Sequence, residues 1–272
     1  MFDYINRDTK LCMSLSARPG NVGTRFHNYL YREMGLNYVY KAFSTASLKD
    51  AIAGVRGMNI RGCAISMPFK ESVIELLDEL MPSATAIGSV NTIVNDDGWL
   101  RAYNTDYAAV RSLLDSHDVS RDMSYVVQGS GGMAKAVAIA MRDAGFKQGN
   151  ILARNEAAGR SLAELCGVQW QPDLRNLKPQ ILVNVTPIGM AGGTEANDLA
   201  FSHEAVEAAQ VVFDVVALPA ETPLINLARG LGKSVITGAE VMTLQAVEQF
   251  VLYTGQRPTQ ELIAKAADYS RA

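Results

Sequence analysis

The chain has 272 residues, 48% hydrophobic and 19% charged, a globular composition with room for two modest domains at ~150 residues each. A formal net charge of -3 argues against nucleic acid or an anionic membrane as the main partner, because both require clustered positive charge. No apolar run approaches the roughly 20 residues of a membrane helix, and the opening MFDYINRDTK lacks the apolar core of a secretory signal, so a cytoplasmic location is expected.

Short β-branched runs alternate with amphipathic segments from end to end, the pattern of an α/β architecture with largely parallel sheets. Strands are expected at Leu11 to Ser14, Tyr38 to Phe43 and Arg61 to Ser66, with helices at Thr24 to Met34 and Leu48 to Val55. Ser47 and Asp50 offer a capping box to the second helix. After Pro68, the stretch ESVIELLDEL places Val73, Ile74, Leu77 and Leu80 at helical spacing, with Pro82 as its stop. Asp97-Gly98 between two β-rich runs predicts a type I′ hairpin and an antiparallel edge to this first part. A crossover helix from Tyr107 to Leu114 leads to a new strand at Tyr125 and a second α/β unit running to about Thr237. Two helices near Glu240 to Tyr253 and Thr259 to Tyr269 close the chain with no strand between them, which predicts that they return to pack on the first domain.

Cys12, Cys63 and Cys166 are odd in number, widely separated and set among apolar neighbours, so they read as reduced core residues. His27, His117 and His203 show no ligand spacing, and no metal is expected.

In SYVVQGSGGMAKAVAIAMRDAG, a strand, a Gly-rich turn and a helix carry Gly129, Gly131 and Ala134 at the spacing of the dinucleotide fingerprint. Gly129 permits the tight turn, Gly131 lets the backbone approach a pyrophosphate, and the helix beginning near Met133 turns free N–H groups toward the anion. The next strand ends in Arg154-Asn155. A guanidinium there suits the 2′-phosphate of NADP, whereas NAD calls for an acid.

The first domain holds a second constellation at its strand ends: Ser14 and Ser16, then SMPFKE, SVNTI and YNTD. Ends of several strands in an α/β sheet converge on one crevice, so Ser14, Ser16, Ser66, Lys70, Asn91 and Asp106 can line one polar pocket suited to a polyhydroxylated acid.

These blocks, in this order and spacing, resemble the shikimate dehydrogenase family over nearly the whole chain. The resemblance implies that Ser14 and Ser16 hold the substrate carboxylate, that Ser66, Asn91 and Gln245 contact substrate, and that Lys70 and Asp106 are the catalytic acid/base pair. It assigns GSGGMAKA (with Gly129, Ser130, Gly131, Gly132, Met133 and Ala134), Arg154, Asn155, Thr186 in NVTPIGM and Gly238 to the NADP side. The implied fold is a substrate-binding α/β domain (1-106, completed by helices in 238-272) and a Rossmann-type NADP-binding domain (107-237), with a cleft between them. The implied chemistry is NADP-dependent oxidation of shikimate to 3-dehydroshikimate, and its reverse, by a monomer or homodimer with a small-molecule substrate. Departures from the family pattern are Ala64 for a usual Asn, Ala217 for a usual Tyr, Asn155 for a usual Thr with its second basic residue later at Arg160, and the longer segment ARPGNVGTRF. They resemble the shikimate dehydrogenase-like paralogue group and imply slow turnover. Quinate or another cyclitol acid is the alternative substrate, and a weakly active NADP-binding regulator the alternative role.

Overall fold

The structure, a computed structural model, describes residues 5–175 and 177–271. The first four residues of MFDYINRDTK lie outside it. Two compact units emerge: one holds the residues up to Thr105 and from Thr243 onward, the other Asp106–Met242.

In the first unit the order is β1 (Lys10–Leu15), α1 (Val22–Glu33), β2 (Tyr38–Phe43), α2 (Leu48–Gly57), β3 (Gly62–Ile65), β4 (Glu79–Leu80), α3 (Pro82–Ile87), β5 (Thr92–Asp96) and β6 (Trp99–Tyr103). The sheet runs β2-β1-β3-β5-β6-β4, with β1 parallel to β2 and β3, and β5 antiparallel to β3 and β6. Ser47 caps α2 as its sequence predicts, accepting from the Asp50 N–H at 3.3 Å. The β5–β6 turn has positive φ at both Asp97 (51°) and Gly98 (93°), as a type I′ hairpin requires.

The helix expected over ESVIELLDEL does not form. Ile74–Leu76 is a single 3-10 turn, Leu77 is extended, and Glu79–Leu80 pairs in parallel with β6. Asp78 explains the switch: its N–H donates to Leu100 O (3.1 Å), and its carboxylate accepts from Leu100 N (2.7 Å) and Arg56 Nη1 (2.6 Å). That pairing draws the segment into the sheet, so β4, and not the hairpin, forms the edge. Pro82 then opens α3 at its first position instead of ending a helix.

The second unit contains α4 (Thr105–Ser116) from its second residue, β7 (Tyr125–Gln128), α5 (Gly132–Asp143), β8 (Gly149–Leu152), α6 (Glu156–Cys166), β9 (Gln169–Gln171), β10 (Ile181–Asn184), α7 (His203–Ala208), β11 (Val211–Asp214), α8 (Pro223–Gly230) and β12 (Ser234–Thr237). Its sheet is parallel throughout, ordered β12-β11-β10-β7-β8-β9. Counted within the unit this is 6-5-4-1-2-3, the doubly wound order in which the strand order reverses beside the first strand, the position of the ligand crevice in such sheets.

The chain leaves this unit within α9 (Gly238–Thr254) and ends in α10 (Gln260–Arg271). Alternation along β1 sends Cys12 to one face of the first sheet and Met13 to the other. The Cys12 face packs against α1, α9 and α10 through Leu30, Phe250 and Ala266, and the Met13 face against α2 through Ile52 and Val55. All three cysteines are free and buried. Among the described residues no helix is long and apolar enough to cross a membrane, and no cluster could hold a metal ion.

His27 lies inside the Cys12-side core, 1% exposed and stacked on Tyr40 with ring centroids 4.4 Å apart. Neither ring nitrogen is hydrogen-bonded. Burial holds its pKa down at about 3, against an ordinary value of 6.5, with the neighbouring Gln249 side chain opposing the shift. Between those two values the unfolded chain binds one more proton than the native one. This contribution is therefore complete above about 6.5 and is lost as pH falls toward 3, at up to about 1.4 kcal/mol per pH unit. Denaturant titration at pH 7 and pH 5 is expected to show that His27→Phe loses about 2 kcal/mol less than wild type over that interval. Equal losses would show that the histidine is not the linked group.

Candidate active site

Register places the constellation of the first domain at one end of the strands of the first sheet. Leu15 pairs with Ile65, Ala64 with Thr92, and Thr92 with Tyr103. The ends of β1, β3 and β6 and the start of β5 therefore meet. Ser16 follows the first, Ser66 the second, Asn91 precedes β5, and Asn104, Thr105 and Asp106 follow β6. Backbone bonds fasten these loops: Ser66 N donates to Leu15 O (2.9 Å), Ala17 N to Met67 O (3.2 Å), Ile65 N to Asn91 O (2.8 Å) and Val90 N to Lys70 O (2.8 Å). Ser14 lies within β1, half-buried beside the Tyr40 phenol. Asp106 stands in the first turn of α4.

Asn91 is the most constrained member, at 2% exposure. Its Oδ1 accepts from Thr105 N (2.8 Å), Thr92 Oγ1 (2.8 Å) and Thr105 Oγ1 (3.2 Å). Its Nδ2 is buried with no partner. A buried unpaired donor costs roughly 1 to 3 kcal/mol, so this amide stands open to an oxygen acceptor. Gln245, on α9, reaches the same cluster through Thr105 Oγ1, 3.5 Å from its Oε1.

In the second unit a cavity of about 710 Å³ opens beside β7 and is lined by Gly129, Ser130, Gly131, Arg154, Asn155 and Thr186, among others. Gly129 has φ of 131°, and a Cβ there would sit 2.8 Å from Val185 Cγ2 and 3.1 Å from Val185 O. Gly131 is the N-cap of α5 and supplies no side-chain acceptor, so the free N–H groups of the first turn are left for an anion. Gly132, Met133 and Ala134 form that turn and do not line the cavity; Gly132 is exposed and Ala134 fully buried. The size and donor set fit a dinucleotide. Gly238 begins α9 and does not line this cavity.

Arg154 is an exposed cation on the cavity wall, and Asn155 caps α6, its Oδ1 accepting from Ala158 N at 3.1 Å. Arg160 is engaged elsewhere: its guanidinium lies 4.4 Å from the Trp170 ring centroid, and its Nε donates to Glu156 Oε1 at 2.7 Å. Thr186 is held by Asn184, whose Oδ1 accepts from Thr186 N (3.0 Å) and Oγ1 (2.6 Å). Asn184 Nδ2 donates in turn to Asp214 Oδ1 (3.0 Å), which also accepts from Val216 N (3.0 Å), while Thr222 Oγ1 donates to Asp214 Oδ2 (2.7 Å). Burial raises the Asp214 pKa, and these three donors oppose the rise.

Sequence reading passed over Asp214, Asn184, Thr222, Thr92, Thr105 and Gln249. For Gln249 there was a signal: two amides four residues apart on one helix share one face. For the others, polar residues at strand ends are too common to single out.

Residues 22–93 match the family model described as the shikimate dehydrogenase substrate binding domain. The chain is 57% identical over 267 residues to the shikimate dehydrogenase-like protein of Haemophilus influenzae, covering 98% of each. Among solved structures, a shikimate 5-dehydrogenase-like protein superposes with a TM-score of 0.97 at 56% identity, covering 98% of this chain and all of that one. Shikimate 5-dehydrogenase from Thermus thermophilus, in complex with NADP(H) and shikimate, gives a TM-score of 0.86 at 27% identity, covering 96% and 99% of the two chains. Quinate dehydrogenase from Corynebacterium glutamicum, in complex with NAD, gives 0.85 at 26% identity, covering 96% and 98%.

Gly129→Ala is expected to lower stability by roughly 1 to 3 kcal/mol, through strain at positive φ and the clash with Val185, and to abolish tight dinucleotide binding. Denaturant titration and fluorescence titration with NADPH measure the two effects. Wild-type values in both would overturn the assignment of this turn.

Proposed function

The chain belongs to the shikimate dehydrogenase family, in its shikimate dehydrogenase-like group, and on that footing we propose that it is an NADP-dependent oxidoreductase interconverting shikimate and 3-dehydroshikimate. The observation that supports the reading is that backbone bonds fasten the loops bearing Ser16, Ser66, Lys70 and Asn91 together at the strand ends, where Asn91 keeps an unpaired donor and Gln245 arrives through Thr105.

On this reading the serines Ser14 and Ser16 donate hydroxyl hydrogen bonds to the substrate carboxylate, while Ser66, Asn91 and Gln245 orient the ring hydroxyls. A bound nicotinamide dinucleotide supplies the hydride acceptor at its ring C4, and its pyrophosphate would be held by the Gly129–Gly131 turn and the start of α5. A secondary alcohol gives up its hydride only as its hydroxyl proton departs, so a base must sit within hydrogen-bond reach. Lys70 and Asp106 share that proton: the pair takes it up as the alcohol is oxidised and returns it to the same oxygen as the ketone is reduced. Turnover is slow because Ala64 and Ala217 lack the polar and aromatic groups usual there, and small errors in placing the reacting carbon are costly.

Shikimate is favoured over quinate. Its carboxylate lies in the plane of a ring double bond, whereas the carboxylate of quinate leaves a tetrahedral carbon that bears a further hydroxyl. Leaving that hydroxyl unpaired costs roughly 1 to 3 kcal/mol, enough for about tenfold selectivity. Steady-state kinetics on both acids with NADP test this: quinate used more efficiently than shikimate would replace the substrate assignment. Lys70→Ala and Asp106→Asn are each expected to cut turnover by ~100-fold or more with NADP affinity nearly unchanged. Near wild-type turnover in either would remove that residue from the acid/base pair.

Arg154 carries the preference for NADP, since charge-assisted bonds to phosphate contribute roughly 1.5 to 3 kcal/mol and Arg160 is occupied by Glu156 and Trp170. Arg154→Asp is expected to reduce or reverse the ratio of kcat/KM for NADP over NAD. An unchanged ratio would move the assignment to another cation.

A further inference from the structure

Gln249 lies one turn beyond Gln245 on α9, 5% exposed. Its Nε2 is 3.4 Å from the backbone oxygen of Asn91, 3.1 Å from Thr92 Oγ1 and 3.3 Å from Gln245 Oε1. A carbonyl oxygen can only accept, so the Asn91 carbonyl decides which end of the Gln249 amide is nitrogen. The Gln249 nitrogen in turn requires an oxygen from Gln245. Thr105 Oγ1 lies 3.5 Å from the same oxygen, a second acceptor for the one hydroxyl proton it otherwise gives to Asn91 Oδ1 at 3.2 Å. The Gln245 nitrogen is then left to face away from both.

Asn91 is fixed by the same logic from the other side. The Thr105 backbone N–H can only donate, so the atom it meets at 2.8 Å is Oδ1, and the unpaired atom is the Nδ2 donor. Thr92 links the two amides, accepting from Gln249 and donating to Asn91 Oδ1 at 2.8 Å. Two backbone groups, one donor and one acceptor, thus set the polarity of the whole chain of side chains.

We infer that Gln249 is a positioning residue that locks the Gln245 amide, so that Gln245 and Asn91 both present N–H donors to the ligand. This rests on the proposed contact of Gln245 and Asn91 with substrate, and adds to it the chemistry of the ligand: oxygen acceptors at both points. A protonated amine in place of either oxygen would meet two donors and be rejected. Without Gln249, the Gln245 amide can turn over and present its oxygen, and that discrimination is lost.

The experiment is calorimetric titration of the full-length protein with shikimate in the presence of NADP, on Gln249→Met, Gln245→Ala and the double variant, with NADP affinity and Tm measured on each. Gln249→Met is expected to weaken shikimate binding about tenfold with NADP affinity unchanged, and to have less than about a twofold effect in the Gln245→Ala background, because its influence passes through Gln245. Gln249→Glu keeps the shape but offers only oxygens at neutral pH. It draws the Gln245 nitrogen inward and should weaken shikimate binding more than Met does, giving a second reading if the Met variant does not fold. If Gln245→Ala weakens binding and Gln249→Met does not, or if the Gln249 effect persists in full without Gln245, the positioning role is overturned while the substrate contact stands. Unchanged shikimate affinity in Gln245→Ala would overturn both.

Discussion

The seat of Tyr253 against Gly62 is the constraint on which the substrate side of the molecule depends. A Cβ at position 62 would lie 2.3 Å from the Tyr253 ring, so β3 can receive this helix at that depth with glycine alone. Tyr253, Gln249 and Gln245 are spaced by four along α9 and share a face. Once the aromatic ring is seated, the rotation of the helix is set, and the two amides one and two turns earlier are delivered to Asn91 and Thr105 at the start of β5 and the end of β6. Phe250 and Val247, both fully buried, hold the neighbouring stripe in the core with Leu30 and Tyr31 of α1. The polar chemistry at one end of α9 is thus positioned by apolar packing at the other.

The dinucleotide side is built differently. The anion site proposed there is made of backbone: the positive φ of Gly129, the bare N-cap at Gly131 and the first turn of α5. Side chains enter behind it, where the buried Asp214 carboxylate collects three donors and, through Asn184, fixes Thr186 on the cavity wall. A carboxylate in that position is costly unless its acceptor sites are filled, and filling them specifies the loops after β10 and β11 at once.

This difference explains what was legible in the sequence. The fingerprint around Gly129 and the strand ends bearing Ser14, Ser66, Asn91 and Asp106 could be read because local rules dictate them: turn chemistry, strand alternation and the convergence of strand ends. The Asp97-Gly98 hairpin and the Ser47 cap were legible for the same reason. ESVIELLDEL was not, because its apolar spacing is helical and only the partnership of Asp78 with Leu100 and Arg56, residues more than twenty positions away in sequence, overrides it. Asp214 was likewise not legible, since its meaning lies in the partners Asn184 and Thr222 that the fold supplies, and for Gln249 the four-residue spacing from Gln245 marked a shared face but not its partners Asn91 and Thr92. The role of Arg160 also depended on a distant partner, Trp170, which turns a nominal second cation into part of a helix face.

The unpaired Asn91 nitrogen connects stability to function. Three donors crowd onto its oxygen, while its own donor is buried and unsatisfied, an asymmetry that no rotation of the amide relieves, because turning it over would set an N–H against the Thr105 N–H. The folded protein therefore carries a standing cost that an oxygen acceptor at this point would remove. Substituting an apolar residue would relieve that cost but would orphan Thr92 and Thr105, both buried, so the site cannot become more stable by simple loss of the amide. The polarity imposed by the Asn91 and Thr105 backbone groups is in this sense self-protecting: the same bonds that hold the donor unpaired make it expensive to discard, and they keep it available for an acceptor arriving from outside.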